Sequence, residues 1–492
     1  MFVYSAAGGT ALAATLSTLL RKKRIRDIIA QSEEPGQHLK RTLGALDLVA
    51  LGIGCIVGAG IFVLTGVAAA QYAGPGIVLS FVISGLACAF SAFAYAEFAS
   101  MMPAAGSAYS YAYATLGEIF AWIIGWDLVL EYSVGASAVA VGWSGYFNSI
   151  VQAVGIHLPE ALINAPGAVP GALVNLPAML VVAATTLVLV IGIQESSSLN
   201  KIVVGVKIAV ILFFIGVGAF AVQPANWRPF APFGWKGIMT GAAIVFFAYI
   251  GFDAVSTTAE EARNPKRDLP IGIIASLAIC TLLYIAVALV LTGIVPYYRL
   301  DSPAPMAVAL EAIGHGRAAL LVAVGAVSGL TSVLLVMLLG QSRVFFAMAR
   351  DNLLPPRAAA VHPRFHTPYR TTIFAGTAVA LASGLLPIGT LAELCNIGTL
   401  FAFVLVSAGV LALRRTHPDR PRPFRCPGVP FVPLAGIGFC LYLMASLPWE
   451  TWMRFVVWLA VGLVIYFNYG IKHSRLAEGQ ATTERTRPLP KT

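Results

Sequence analysis

Two stretches place unusual residue types inside otherwise apolar sequence. The first is GIGCIVGAGIF (52–62), with Gly52, Gly54, Gly58 and Gly60 inside nine residues. Each glycine weakens a helix by about 1 kcal/mol relative to alanine, so a helix carrying four of them is prone to unwind. A small-residue packing face would account for Gly54 with Gly58. It does not account for the dense GAG placed before Ile61 and Phe62. The second stretch is FFAYIGFDAVSTTAEEARNPKRDLP (246–270), in which Gly251 precedes Phe252 and Asp253. Alone, it reads equally well as a helix tolerating one glycine. An unwound helix exposes amides at the start of its second half, which suit an anion. It exposes carbonyls at the end of its first half, which suit a cation or an ammonium. A zwitterion such as an amino acid needs both.

The elements that must position these stretches are membrane spans. The chain has 492 residues, 58% hydrophobic and only 11% charged, against about a quarter charged in a soluble domain. Its mean hydropathy is +0.82. These values exclude a soluble enzyme, and the 47 Gly and 29 Pro follow no collagen-like period. A span needs about 20 apolar residues. Apolar segments fall near 47–70, 77–101, 119–151, 178–193, 200–221, 236–258, 270–295, 318–347, 371–386, 391–413, 429–447 and 453–471. The reading is an all-α polytopic membrane protein of about twelve transmembrane helices. It divides into an N-terminal extension (1–41), a transmembrane domain (42–472) and a C-terminal tail (473–492). Of the 32 Lys and Arg, only Arg228, Lys236, Arg299, Arg317 and Arg454 fall in loops on one side, and Lys207 falls in neither set. The rest share the other side with both tails, so the positive-inside rule puts both termini in the cytoplasm. The net charge of +10 is thereby explained by topology, and no nucleic-acid partner is implied. Residues 1–20 read as a floppy or surface-lying extension, RKKRIRDII (21–29) as resting on anionic lipid headgroups, and the tail as polar and disordered. The six cysteines include no CxxC pair, so no disulfide framework or zinc site is expected.

The two interruptions fall in the first and sixth spans, five spans apart. Two inverted five-helix repeats would make them symmetry mates, and such a pair is the best sequence pointer to a transporter site. From Thr42 to Lys472 the chain resembles the amino acid–polyamine–organocation superfamily, most closely the bacterial relatives of the cationic amino acid transporters. The resemblance rests on both stretches, on GWDLVLEY (125–132) and on QSRVFFAMARDNLLP (341–355). It implies a LeuT-type 5+5 inverted repeat with discontinuous helices 1 and 6, working by alternating access in the cytoplasmic membrane. The implied function is secondary active transport of small neutral or cationic L-amino acids, by proton-coupled symport. Amino acid exchange, sodium symport and a non-transporting sensor are the alternatives. Protons are the implied coupling ion, with no further cofactor and no metal. The substrate and membrane lipids are the expected partners. Oligomeric state and a small accessory membrane subunit are left open.

The resemblance assigns residues as well. Gly58, Ala59 and Gly60 would present amides to the substrate carboxylate, with Ile56 and Val57 offering backbone at the same break. Ala59 stands where many relatives have Ser or Thr, which removes a hydroxyl. Phe247, Ala248 and Ile250 would offer carbonyls to the ammonium, and Phe247 matches the gating aromatic. Lys207, in KIVVGVKIAVILFF (201–214), matches a lysine whose ammonium occupies the sodium site of sodium-coupled relatives. It would face carbonyls at the first break and hydroxyls of the eighth span, with Thr331 and Ser332 the candidates. Protonated, it would hold the first span against the scaffold; deprotonated, it would release it.

Other residues are read without the resemblance. Glu131 lies deep in the third span on the face of Asp127. Intramembrane acids line a cavity or find a partner, so Glu131 either meets a cationic substrate side chain or bonds to a neighbour such as Tyr132 or Trp126. Met337 is core filler or, if it lines the pocket, its bulk favours a small substrate. Asp253 is read as an N-cap, Glu97 as facing the cytoplasmic vestibule, and EEARNPKRD (260–268) as a tether of the inner gate. No HExxH, GKS/T or Ser–His–Asp set is evident, so no catalytic residue is expected.

Overall fold

A computed structural model describes residues 19–25, 42–103, 107–192, 197–355, 360, 362–365 and 367–477. The major helices are α1 (Ala45–Ile56), α2 (Ile77–Met101), α3 (Ser107–Thr115), α4 (Glu118–Ala153), α5 (Leu176–Ile191), α6 (Ser197–Ala219) and α7 (Gly234–Val245). They continue as α8 (Pro265–Ile294), α9 (Gly316–Arg350), α10 (Tyr369–Leu385), α11 (Ile388–Thr416), α12 (Phe431–Ala445) and α13 (Trp449–Ile465). Among the described residues the only β pairing is two isolated bridges. Among the described residues eight stretches are long and apolar enough to cross a bilayer, and α1, α5 and α12 are shorter apolar helices. The chain is therefore a multi-pass α-helical membrane protein. Of the expected N-terminal extension (1–41), residues 1–18 and 26–41 lie outside the described residues, as does the tail beyond residue 477.

Two helices stop inside the protein. After α1 the backbone turns extended at Val57 (φ −74°, ψ 95°) and resumes as a π-helical turn over Gly60–Leu64. After α7 a 3₁₀ turn spans Phe246–Tyr249, and Ile250 is extended (φ −60°, ψ 134°). Gly251 follows at φ +118°, a conformation that favours glycine, before the short helix Ala254–Thr257. A helix that ends in an apolar interior needs partners for its last carbonyls, and side chains of α2 and α11 supply them for Ala242, Ala243 and Ile244 of α7, with a further bond at Ile238 earlier in the helix. The Ile238 and Ala242 carbonyls of α7 accept from Ser80 (2.7 Å) and Ser84 (2.6 Å) of α2. The Ala243 and Ile244 carbonyls accept from the Asn396 amide of α11 at 2.7 and 2.9 Å. Phe252, just past the second break, is wedged between the rings of Tyr95 and Phe403.

The lead-in to the first broken helix and the segment after the second are stitched by backbone. Leu43 N–H donates to the Glu261 carbonyl (3.0 Å), and Arg263 N–H donates to the Leu43 carbonyl (2.8 Å). The EEARNPKRD segment thus holds the lead-in to α1.

Two expectations are corrected by the packing. Glu97 does not face a vestibule. It is buried and accepts two hydrogen bonds from the Arg414 guanidinium, one from Arg422 and one from the Cys426 amide. Burial, with the Glu97 charge beside it, pushes the Cys426 thiol up to about 12, so it stays unreactive at neutral pH. Nor do Arg21, Lys23 and Ile25 rest on lipid. Exposure alternates along 21–25, with Arg21 and Ile25 buried and Lys22 and Arg24 exposed. Arg21 pairs with the fully buried Glu118 at 3.2 Å. Lys23 pairs with Asp351 at 2.9 Å. Glu118 also accepts from Tyr113, Tyr466 and Ser474. The segment ties the end of α3 and the start of α4 to the end of α9 and to Ile471. Its Lys and Arg partners lie far away in sequence, which is why the basic run reads as a lipid contact.

Candidate substrate site

The two breaks interlock through their glycines. A Cβ placed on Gly60 would lie 2.2 Å from the Ala248 Cα and 2.9 Å from its nitrogen. A Cβ on Gly251 would lie 2.9 Å from the Cys55 carbonyl carbon and oxygen. Each break therefore presses bare backbone against the other. Gly58 faces α9, where its Cβ would be 3.4 Å from both Val333 methyls, and Ala59 faces Gly142 of α4. The second half of the first span starts at this point, and the amides of a helix's first turn lack intrahelical acceptors. Ile56, Val57, Ala59, Phe247, Ala248 and Ile250 are all buried around this junction. Ala59, Phe247, Ala248 and the rest of the sequence-assigned set at the breaks thus come together in space.

A residue that the sequence reading missed spans the junction. The Tyr284 hydroxyl of α8 lies 2.9 Å from the Ile56 carbonyl and 2.8 Å from the Ala248 carbonyl. One hydroxyl proton serves both breaks. The Phe247 carbonyl accepts from Ile250 N–H (3.2 Å). A lone tyrosine in an apolar span has no local signature, and its partners are distant in sequence.

Lys207 is fully buried. Its ammonium donates to the Gly54 carbonyl at 2.7 Å, three residues before the extended Val57. Its stem lies along Gly329 of α9, where a Cβ would be 2.9 Å from the Lys207 Cγ. The two hydroxyls proposed to join it differ. Ser332 is buried, and its hydroxyl has no hydrogen-bond partner among the described residues. Thr331 is engaged elsewhere: it donates to the Val327 carbonyl (2.7 Å) and accepts from the Trp143 indole (3.0 Å).

Glu131 is buried on α4, and the Thr399 hydroxyl of α11 donates to the Cys395 carbonyl at 3.0 Å. Trp126 is not the partner of Glu131, since that indole donates to the Trp458 carbonyl. Both Asp127 oxygens are buried without a hydrogen-bond partner among the described residues, close against Gly398. The Asp253 carboxylate accepts from the Gly251 amide behind it at 3.2 Å. It makes no forward cap to the Ala254–Thr257 helix, so it secures the break where an N-cap was expected. Met337 is buried against Gly135 of α4, where a Cβ would lie 3.2 Å from the Met337 sulfur. No group of three metal-ligating side chains occurs among the described residues.

A multi-pass helical membrane protein with two interrupted helices meeting in its interior belongs to the transporter class rather than to the enzymes. The family described as amino acid permease matches residues 43–467, and the chain belongs to it, within the amino acid–polyamine–organocation superfamily. It is 54% identical to the branched-chain amino acid permease BcaP of Bacillus subtilis (strain 168), over 93% of this chain and 99% of that one. It is 51% identical to the methylthioribose transporter of the same organism, over 94% and 100%. It is 40% identical to the vacuolar cationic amino acid transporter 4 of Arabidopsis thaliana, over 82% and 68%. Amino acid transport is the activity these relationships support.

Proposed function

We propose that this chain is a proton-coupled secondary transporter of small neutral L-amino acids, working by alternating access. The observation that carries the reading is the interlocked pair of breaks, Gly60 on Ala248 and Gly251 on Cys55, with the Lys207 ammonium on the Gly54 carbonyl beside them. In this reading twelve spans form two inverted repeats of five in a LeuT-type arrangement plus two further spans, and both termini are cytoplasmic. The substrate carboxylate meets the amides of Gly58, Ala59 and Gly60, with Ile56 and Val57 flanking. Its ammonium meets the carbonyls of Phe247, Ala248 and Ile250, and Phe247 closes over it. Met337 shortens the side-chain end of the pocket and Glu131 lies behind it. The names of the relatives, which include branched-chain and cationic amino acid carriers, support an amino acid substrate.

Lys207 supplies the coupling. Charged, it anchors the first span through Gly54. On losing its proton it gives up much of that charge-assisted bond, and the first span is freed to move relative to α6 and α9. A cation held by the chain itself fills the place a sodium ion would take, so protons are favoured over sodium. Purified protein in proteoliposomes tests this. Labelled alanine should accumulate under an inward proton gradient in sodium-free buffer, and Lys207→Ala should retain binding but lose the pH dependence. Sodium-driven uptake, or normal proton-driven accumulation by Lys207→Ala, would overturn the coupling assignment.

A further inference from the structure

The seam between α4 and α9 runs directly away from the first break. At its near end Gly142 packs against Ala59 and Leu330, and Val333 packs against Gly58. One turn further along α9, about 6 Å at the helical rise, stands Met337. Its thioether rests on Gly135: a Cβ there would be 3.2 Å from the Met337 Sδ, 3.3 Å from its Cε and 3.5 Å from the Cys395 Sγ. Cys395, on α11, is fully buried and its thiol donates to the Glu131 carbonyl (3.4 Å). The end of Met337 therefore rests on a bare glycine that a pinned thiol also approaches.

We infer that Gly135, backed by Cys395, is a specificity-determining position that sets the depth of the substrate's side-chain pocket by seating the Met337 thioether. The inference rests on the reading of the breaks as the substrate site. A side chain at 135 would meet the far end of a flexible methionine, which yields by moving. The Cys395 thiol, held on α11 and within 3.5 Å of the same spot, stands against movement to that side. The remaining direction is back along the seam toward Val333 and Gly58, into the space a substrate side chain would use. The wall at this depth is thioether, thiol and glycine, with no hydrogen-bond donor to spare, so it suits neutral aliphatic or thioether side chains. Gly135 acts through Met337 and is a positioning residue.

The test measures equilibrium binding of alanine, leucine, isoleucine and methionine to purified full-length protein. Gly135→Ala should leave alanine affinity nearly unchanged and weaken leucine and methionine about tenfold or more, the discrimination available from one methylene in an apolar pocket. The double variant Gly135→Ala/Met337→Ala should recover leucine and methionine. A purely structural defect would weaken all four together, and truncating Met337 would not restore them. Either of those results overturns the inference, as does a Gly135→Ala protein with an unaltered preference. If Gly135→Ala cannot be purified, Met337→Ala is compared with the double variant. Equal leucine affinities support the seat, and a further loss in the double variant overturns it. Wild-type protein that binds none of the four amino acids would overturn the transport reading itself, and this inference with it.

Discussion

Gly60→Ala and Gly58→Ala differ by two positions and by one methyl group each, yet they should behave in opposite ways. At Gly60 the new methyl would sit 2.2 Å from the Ala248 Cα, 2.4 Å from its Cβ and 2.9 Å from its nitrogen. The obstacle is backbone, which has no rotamer to change. Relief requires the two breaks to part by more than an ångström, and that moves the Ala248 carbonyl away from Tyr284 as well. Overpacking of this kind costs about 1–3 kcal/mol, and backbone contact places it at the upper end. If the binding conformation bears that cost, alanine affinity falls by about a hundredfold. At Gly58 the methyl would lie 3.4 Å from the Val333 methyls, a contact that a small side-chain shift accommodates. Gly58→Ala should therefore bind within a few-fold of wild type. The assay is isothermal titration or scintillation proximity with alanine on monodisperse protein, with substrate-induced thermal stabilisation as a second readout. A folded Gly60→Ala protein of wild-type affinity would refute the claim that substrate binds where the breaks interlock.

Three further outcomes follow from the same geometry. Met337→Ser should admit arginine, and adding Glu131→Gln should remove that gain while sparing alanine, measured by competition against labelled alanine. Tyr284→Phe takes one donor from the Ile56 and Ala248 carbonyls, and stranding buried acceptors costs about 1–3 kcal/mol. Alanine binding should weaken roughly tenfold, while Tyr249→Phe, whose hydroxyl bonds the Phe81 carbonyl away from the junction, should not match that loss. Glu118→Ala leaves the buried Arg21 guanidinium without its carboxylate, a change worth about 3–5 kcal/mol. It should lower the melting temperature without altering the substrate preference of the protein that remains folded.

The features visible in the sequence are those written locally. Clustered glycines in an apolar segment announce the first break, and a lysine amid apolar neighbours announces Lys207, because each signal fits within one span; the second break, with Gly251 alone, is singled out by its place five spans later. Contacts made between spans are not visible. Tyr284 looks like any tyrosine in an apolar helix until α8 is laid beside both breaks. Glu97 lies in the last turns of α2, and nothing nearby in sequence shows that Arg414, Arg422 and the Cys426 amide converge on it. Thr331 and Ser332 are adjacent, so they point to different sides of α9; only the packing shows that Trp143 claims the first. Nothing in the sequence singles out Gly135 or Gly329, on which the Met337 and Lys207 side chains rest.

The stitch between Leu43 and residues 261–263 has a consequence for how this protein tolerates change. Both of its hydrogen bonds run from backbone to backbone, so they are indifferent to which side chains occupy those positions. Natural drift can rewrite the residues on either strand of the stitch and leave the link intact. Only proline, which lacks the N–H, deletes a bond outright, at 43 or at 263. The lead-in to α1 and the segment after the second break therefore form one mechanical part whose assembly is not encoded in residue identity. A comparison of diverged relatives could show little shared sequence there while the part itself is inherited unchanged.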